Sequence, residues 1–178
     1  GYRTIMEVEG EPSVKNQVLK RVLGNRKLFH FLLRRAYLAQ KPIAKGQYLR
    51  HLPFFFSREH GFRSLPAVAR TPLRDMWERI NLRLEKPRYR VALFGGCLVD
   101  FVYPEQAQAL VRFLKNNDVQ LEYPMEQTCC GLPAMMMGEN ETAREVAVQN
   151  LKAIDPASYD FVLTLCASCG SHLKENYS

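Results

Sequence analysis

The chain has 178 residues, 47% of them hydrophobic and 24% charged, which supports a buried core that does not depend on disulfide staples. No apolar run approaches the roughly 20 residues that span a bilayer and the opening GYRTIMEVEG has no signal-peptide core, so a soluble protein of the cytoplasm is expected rather than a membrane-spanning or secreted one. The net charge of +7 is unevenly divided: residues 1–90 hold 20 Lys and Arg against 7 Asp and Glu, and residues 91–178 hold 5 against 11.

In chain order, Pro12-Ser13 opens a helix with Val14, Val18, Leu19, Val22 and Leu23 on one face, closed by Gly24. Asn25 is placed to cap a second helix, from about Arg26 to Gln40, which Lys41-Pro42 stops. That helix is apolar around most of its girth, so at least two of its sides need cover. Residues 41–70 show neither a helical nor an alternating period and read as an irregular connection draped over a surface. A third helix is expected to start with Thr71 as cap and Pro72 in its first turn, presenting Leu73, Met76, Trp77 and Ile80 on one side.

The second half follows a strand–helix pattern. Tyr89 to Gly96 is a short apolar run ending in glycines, as in a strand buried on both faces. A helix is predicted over Pro104 to Asn116, a strand over Val119 to Tyr123, and a helix over Glu139 to Ile154 with Ala143, Val146, Ala147 and Leu151 inward. A third strand covers Asp160 to Leu165, and a last helix runs over Ser171 to Tyr177. The fold class expected is therefore α/β, a parallel sheet of three or more strands with flanking helices at residues 88–178, preceded by a helical and irregular basic segment at residues 1–87.

All five cysteines, Cys97, Cys129, Cys130, Cys166 and Cys169, fall in the second half. Each group follows a predicted strand, and the carboxyl edge of a parallel sheet is where distant residues converge on a ligand. In a reducing compartment such clustering points to metal ligation rather than disulfides. Thiolates serve both zinc and iron–sulfur clusters. Adjacent Cys129 and Cys130 suit two metal atoms of one cluster better than one ion, and five thiols exceed a tetrahedral zinc set. Gly95, Gly96, Gly131 and Gly170 flank these cysteines and are candidates for letting backbone N–H groups approach the cofactor. A strand, C-A-S-C and helix is also the local arrangement of thioredoxin-like motifs, but such a site has no use for three more thiols at the same edge.

The spacing Cys97, 31 residues, Cys129-Cys130-Gly131, 35 residues between Cys130 and Cys166, and C-A-S-C to Cys169, with GGC and CCGLPAMMMGE around it, resembles the cysteine-rich CCG domain of heterodisulfide reductase and its relatives. The resemblance covers about residues 88–178 and implies electron-transfer or catalytic iron–sulfur subunits. All five cysteines are then ligands of an iron–sulfur cluster, a 4Fe–4S centre that in heterodisulfide reductase is noncubane. The basic first half, with FRSLPAVARTPLRDMWERI, is similar to the tail after the ferredoxin-like clusters of lactate-utilisation iron–sulfur proteins. It implies a fused ferredoxin-type and CCG-type subunit oxidising L-lactate to pyruvate, of which this chain is a fragment.

The expectation is thus an electron-transfer subunit of an oxidoreductase complex, working with other iron–sulfur or flavin subunits. Other CCG-containing complexes, of the heterodisulfide reductase, glycolate or glycerol-3-phosphate dehydrogenase type, are alternatives. A zinc-stapled interaction domain is the alternative from another class. The basic residues are interleaved with bulky apolar ones and face an acidic second half, which argues against nucleic acid and leaves peripheral docking at the inner face of the membrane as a secondary reading. Met135 to Met137 read as packing beside the site, Trp77 as core, His30, His51 and His60 as surface or core, and His172 as a neighbour of the cluster.

Overall fold

The structure is a computed structural model and describes residues 14–42, 44–45, 48–49, 65–81 and 83–177. Pro12, Ser13, His51 and His60, which carried expectations from the sequence, lie outside the described residues. Two helices come first, α1 (Val14–Gly24) and α2 (Arg26–Gln40). Asn25 between them is extended, and its side chain accepts from the Leu28 N–H at 3.0 Å, the expected cap. On α2, Phe31, Leu32 and Leu38 are exposed and His30 and Gln40 are buried.

Where an irregular connection was expected there are three two-residue strands, β1 (Ala44–Lys45), β2 (Tyr48–Leu49) and β3 (Leu65–Pro66), paired antiparallel in that order. Strands of two residues are too short to display an alternating pattern in sequence. Gln40 then fastens the chain back to α2: its Oε1 accepts from the Val68 N–H at 2.7 Å and its Nε2 donates to the Val68 carbonyl at 2.6 Å. Helix α3 (Leu73–Ile80) buries Leu73 and Trp77, with Met76 and Ile80 packed beside them. Thr71 is not its cap. Pro72 holds that position without a side-chain bond, and the Arg74 N–H is taken by the Asp100 carboxylate at 3.1 Å, so a distant acidic group does the work of a local hydroxyl.

The remainder is an α/β unit. Its strands β4 (Tyr89–Phe94), β5 (Val119–Glu122) and β6 (Phe161–Thr164) form a parallel sheet in the order β5–β4–β6. Between them run α4 (Gly96–Phe101), α5 (Pro104–Lys115), α6 (Leu132–Met136), α7 (Asn140–Ala153) and a 3-10 turn (Pro156–Ser158); α8 (Ala167–Asn176) follows β6. Central β4 feeds both faces in strict alternation. Val91 and Leu93 pack with Leu73, Trp77, Ala107 and Val111 on one side; Ala92 and Phe94 pack with Leu23, Ala134, Ala143, Ile154 and all five cysteines, Cys97 partly buried, on the other. Helices upstream of residue 88 therefore contribute to both cores of the sheet.

Helix α7 is rotated from its predicted register. Thr142, Ala143, Val146 and Asn150 are buried and Leu151 is 45% exposed. The inward position is held by an amide because hydrogen bonds at the cysteine loop require one, as described below. Helix α8 begins four residues earlier than expected, with Cys166 as its cap and the Gly170 N–H donating to the Cys166 carbonyl at 2.9 Å. No described helix is long and apolar enough to cross a membrane.

Candidate metal centre

The parallel strands deliver the cysteines to one edge. Cys97 stands in the first turn of α4, three residues after β4 ends. Cys129 and Cys130 occupy the extended loop between β5 and α6, Cys166 caps α8 and Cys169 is on its first turn. Because β4 is central, the loop after it and the one after β6 diverge around the crevice that open α/β sheets use for ligands. Four thiols are buried, Cys97 is half-buried, and none is in a disulfide.

The thiols interact as a succession of pairs: Cys97 with Cys129, Cys129 with Cys130, Cys130 with Cys169, and Cys169 with Cys166. The proton affinities alternate along it. Hydrogen bonds from Cys129 and then Cys169 hold Cys130 far below the ordinary thiol range against the opposing effect of burial, and the Leu132 N–H at the start of α6 adds to this. Cys129 and Cys169 are pushed up, first by donating to Cys130. Cys97 is lowered, first by the Cys129 thiol. Sulfur binds metals as thiolate, and the neighbouring thiols shift Cys97 and Cys130 toward that form. Cys166 Sγ has its own partner in Ser168 Oγ at 3.2 Å.

Buried amides lock this arrangement. Gln127 is 0% exposed and bridges the loops after β4 and β5: its Oε1 accepts from the Gly95 N–H at 2.8 Å, and its Nε2 donates to the Leu93 and Pro124 carbonyls at 2.9 Å each. Asn150, 2% exposed, accepts from the Thr128 N–H at 2.8 Å and donates to the Cys129 carbonyl at 2.7 Å and to Tyr177 Oη at 3.0 Å. Tyr177 Oη in turn donates to the Cys130 carbonyl at 2.7 Å. Every residue from Gln127 to Cys130 is therefore held through its side chain or backbone by a group from another part of the fold.

A buried ion pair anchors α4. Arg74 Nε lies 2.6 Å from Asp100 Oδ2 and its Nη2 at 2.5 Å, while the same guanidinium reaches the Gln127 carbonyl at 3.4 Å. Burial raises the Asp100 carboxyl, and Arg74 opposes it. Other pairs also join basic helices to the acidic half: Lys20 to Glu141 at 3.6 Å, and Arg26 to Glu126.

The flanking glycines differ in what surrounds them. Gly96 has φ +56°, and a Cβ there would stand 3.3 Å from Cys169 Sγ; Gly131 has φ +89°, with a Cβ 3.2 Å from the Ala143 carbonyl. At both positions only glycine is free of strain, and at Gly96 it brings the chain against a thiol. The Gly95 N–H belongs to Gln127 and that of Gly170 to the Cys166 carbonyl. Met135 packs against the core that holds the cysteines, whereas Met136 is exposed. His172 is buried beside them, and His30 is buried against Thr128.

Sequence reasoning missed Gln127, Asn150, Tyr177 and the Arg74–Asp100 pair. For Asn150 a signal existed: it stands four residues after Val146 and seven after Ala143, on the apolar stripe of α7. Gln127 lies in a loop, where no period marks it.

Among the described residues no three His, Cys, Asp or Glu side chains surround one point as ligands of a single ion. The donor set fits a polynuclear group better: five thiols from three strand ends, two of them adjacent in sequence, gathered in one apolar cluster. Cys97, Cys129, Cys130, Cys166 and Cys169 are the residues that could hold it.

Over 93 residues the chain is 34% identical to a fumarate reductase (CoM/CoB) subunit of Methanothermobacter marburgensis, covering 52% of this chain and 19% of that protein. It is 38% identical over 86 residues to lactate utilization protein A of Geobacillus kaustophilus, covering 48% and 35%. A longer match, 32% over 145 residues, is to the probable glycolate oxidase iron-sulfur subunit of Bacillus subtilis, covering 76% of this chain and 30% of that one. The chain spans between about a fifth and a third of the length of these relatives. No solved structure matches it. The segment from β4 into α8, with all five cysteines, matches one family model: residues 91–174 align with the cysteine-rich domain of the CCG family.

Proposed function

We propose that this chain is the electron-carrying iron–sulfur part of an oxidoreductase complex, with Cys97, Cys129, Cys130, Cys166 and Cys169 as ligands of a 4Fe–4S centre, noncubane in form. The observation that carries the reading is the meeting of five thiols from three strand ends in one buried site. Relatives named as iron–sulfur or fumarate reductase subunits support it. When bound, the cluster supplies a one-electron carrier. The protein's share is to exclude water, hold thiolates without strain and place N–H and O–H groups at sulfur, the means by which a fold sets a cluster's potential. The Leu132 N–H already serves Cys130 in this way, and Ser168 Oγ lies 3.2 Å from Cys166 Sγ.

The preferred substrate of the complex is L-lactate. Its oxidation to pyruvate releases two electrons and two protons, which suits a partner flavin subunit that takes the pair and passes electrons singly through iron–sulfur centres. The likeness to lactate utilization protein A supports this, and the likeness to a glycolate oxidase subunit fits the same 2-hydroxy-acid chemistry. The place of action is the cytoplasm, with docking at the inner face of the membrane through the basic half.

The test is metal and acid-labile sulfide analysis of the chain purified without oxygen, with visible absorption and electron paramagnetic resonance. Iron, sulfide and a brown chromophore are expected; a colourless protein with one zinc overturns the reading. In the assembled complex, L-lactate is expected to reduce the centre, and reduction by another substrate alone overturns the lactate assignment.

A further inference from the structure

His172 lies one turn after Cys169 on the same buried face of α8 and is 4% exposed. Its Nδ1 is buried and has no hydrogen-bond partner among the described residues. Native structures leave few such atoms, because an unmet buried polar group costs about 1–3 kcal/mol. The ring is packed edge-on to Tyr177 at 5.7 Å between centroids, and the Tyr177 hydroxyl is the donor to the Cys130 carbonyl. Cys130 is near enough to feel a charge on the imidazole. His172 thus stands among Cys130, Cys169 and the tyrosine that fixes the Cys129–Cys130 loop, with one polar atom uncommitted.

We infer that His172 is a positioning residue for the metal centre, its Nδ1–H donating a hydrogen bond to an anionic sulfur, cysteinyl or inorganic, on the side of Cys130 and Cys169. The inference rests on the iron–sulfur reading above. A neutral imidazole can carry its proton on Nδ1 and so supply the donor without becoming a cation. A hydrogen bond to sulfur withdraws charge and favours the more negative, reduced state, so the histidine raises the midpoint potential. A backbone donor already serves Cys130, and His172 adds one from the α8 side.

The chain holds four histidines, and labelling them with nitrogen-15 in the iron-loaded protein makes the contact visible by pulsed electron paramagnetic resonance in the paramagnetic state. A weak coupling of hydrogen-bond size is expected, with an exchangeable proton that deuterium oxide replaces, and both should vanish in His172→Phe. The phenylalanine variant should shift the reduction equilibrium about tenfold toward the oxidised state, about 59 mV downward for one electron. His172→Asn, whose amide nitrogen takes the place of Nδ1, should restore most of that shift. Absence of a histidine coupling in iron-loaded wild type overturns the inference, as does a coupling of directly bound nitrogen or an unchanged potential in iron-loaded His172→Phe. If that variant does not fold, the labelled wild type decides. Wild type that takes up no iron overturns the functional reading itself, a result distinct from iron-loaded protein lacking the coupling.

Discussion

Replacing Gln127 with alanine tests whether the loops that carry Cys97 and Cys129 are held together by this amide. The substitution strips partners from the Gly95 N–H and the Leu93 carbonyl and one of two from the Pro124 carbonyl, which keeps the Gln127 backbone N–H, all at a residue with no exposed surface. At about 1–3 kcal/mol for each buried group left unmet, and allowing for water entering the gap, the loss is about 4 kcal/mol. That is a large part of the 5–15 kcal/mol by which domains are ordinarily stable. Gln127→Glu separates hydrogen bonding from packing. It keeps the acceptor for Gly95 but turns a charged oxygen toward two carbonyls, so at pH 8 it should be at least as destabilised as the alanine variant. Burial raises a carboxyl's pKa, and the protonated form can donate again. The glutamate variant is thus stabilised as pH falls through that raised pKa, whereas the alanine variant gains nothing over the same range. Equilibrium urea unfolding followed by the fluorescence of the buried Trp77, with iron content measured in parallel, reads both effects. A loss below about 0.5 kcal/mol for the alanine variant, within the range of ordinary surface changes, refutes the reasoning.

Three further outcomes follow from the same contacts. Asn150→Ala, which frees the Thr128 N–H and the Cys129 carbonyl, should cost about 2–4 kcal/mol and lower iron occupancy, while Leu151→Ala on the exposed neighbour should cost under about 1 kcal/mol, both by urea unfolding. His30, lowered to about 3 by burial first and then by Arg74, Arg26 and Arg34, is neutral in the fold and takes up a proton on unfolding below pH 6.5. Its contribution is fully present above pH 6.5 and is lost as pH falls toward 3, amounting to about 2 kcal/mol at pH 5. His30→Phe should flatten that part of the stability profile, and an unchanged slope contradicts the assignment. Arg74→Met should cost about 3–5 kcal/mol by leaving the buried Asp100 carboxylate unpaired, and adding Asp100→Leu should recover part of the loss in a double-mutant cycle.

The elements legible in the sequence were those with strong periods. Strand β4 alternates so cleanly between two cores that an unbroken apolar run was the right signal, and the glycines after it mark the turn into the site. The meeting of the thiols followed from one rule about parallel sheets, which needs only the strand ends to be placed correctly. What escaped was governed by contacts distant in sequence. Leu151 reads as core by hydrophobicity, but the loop carrying Cys129 needs an amide, and α7 turns to supply Asn150. Helices α4 and α6, six and five residues long, are too short for a period to emerge, and Thr71 loses its capping role to Asp100. The C-x-x-C stretch obscured the start of α8, whose cap is itself a cysteine.

The claim on which the account depends is that Cys97 and the four cysteines remote from it in sequence act on one group. It is tested most directly by iron and acid-labile sulfide content, with the paramagnetic resonance spectrum, of anaerobically prepared wild type beside Cys97→Ser. The account predicts iron and sulfide in the wild type, and an altered spectrum with reduced iron in the variant although its fold is kept. Equal metal content and an identical spectrum in the two proteins would contradict it.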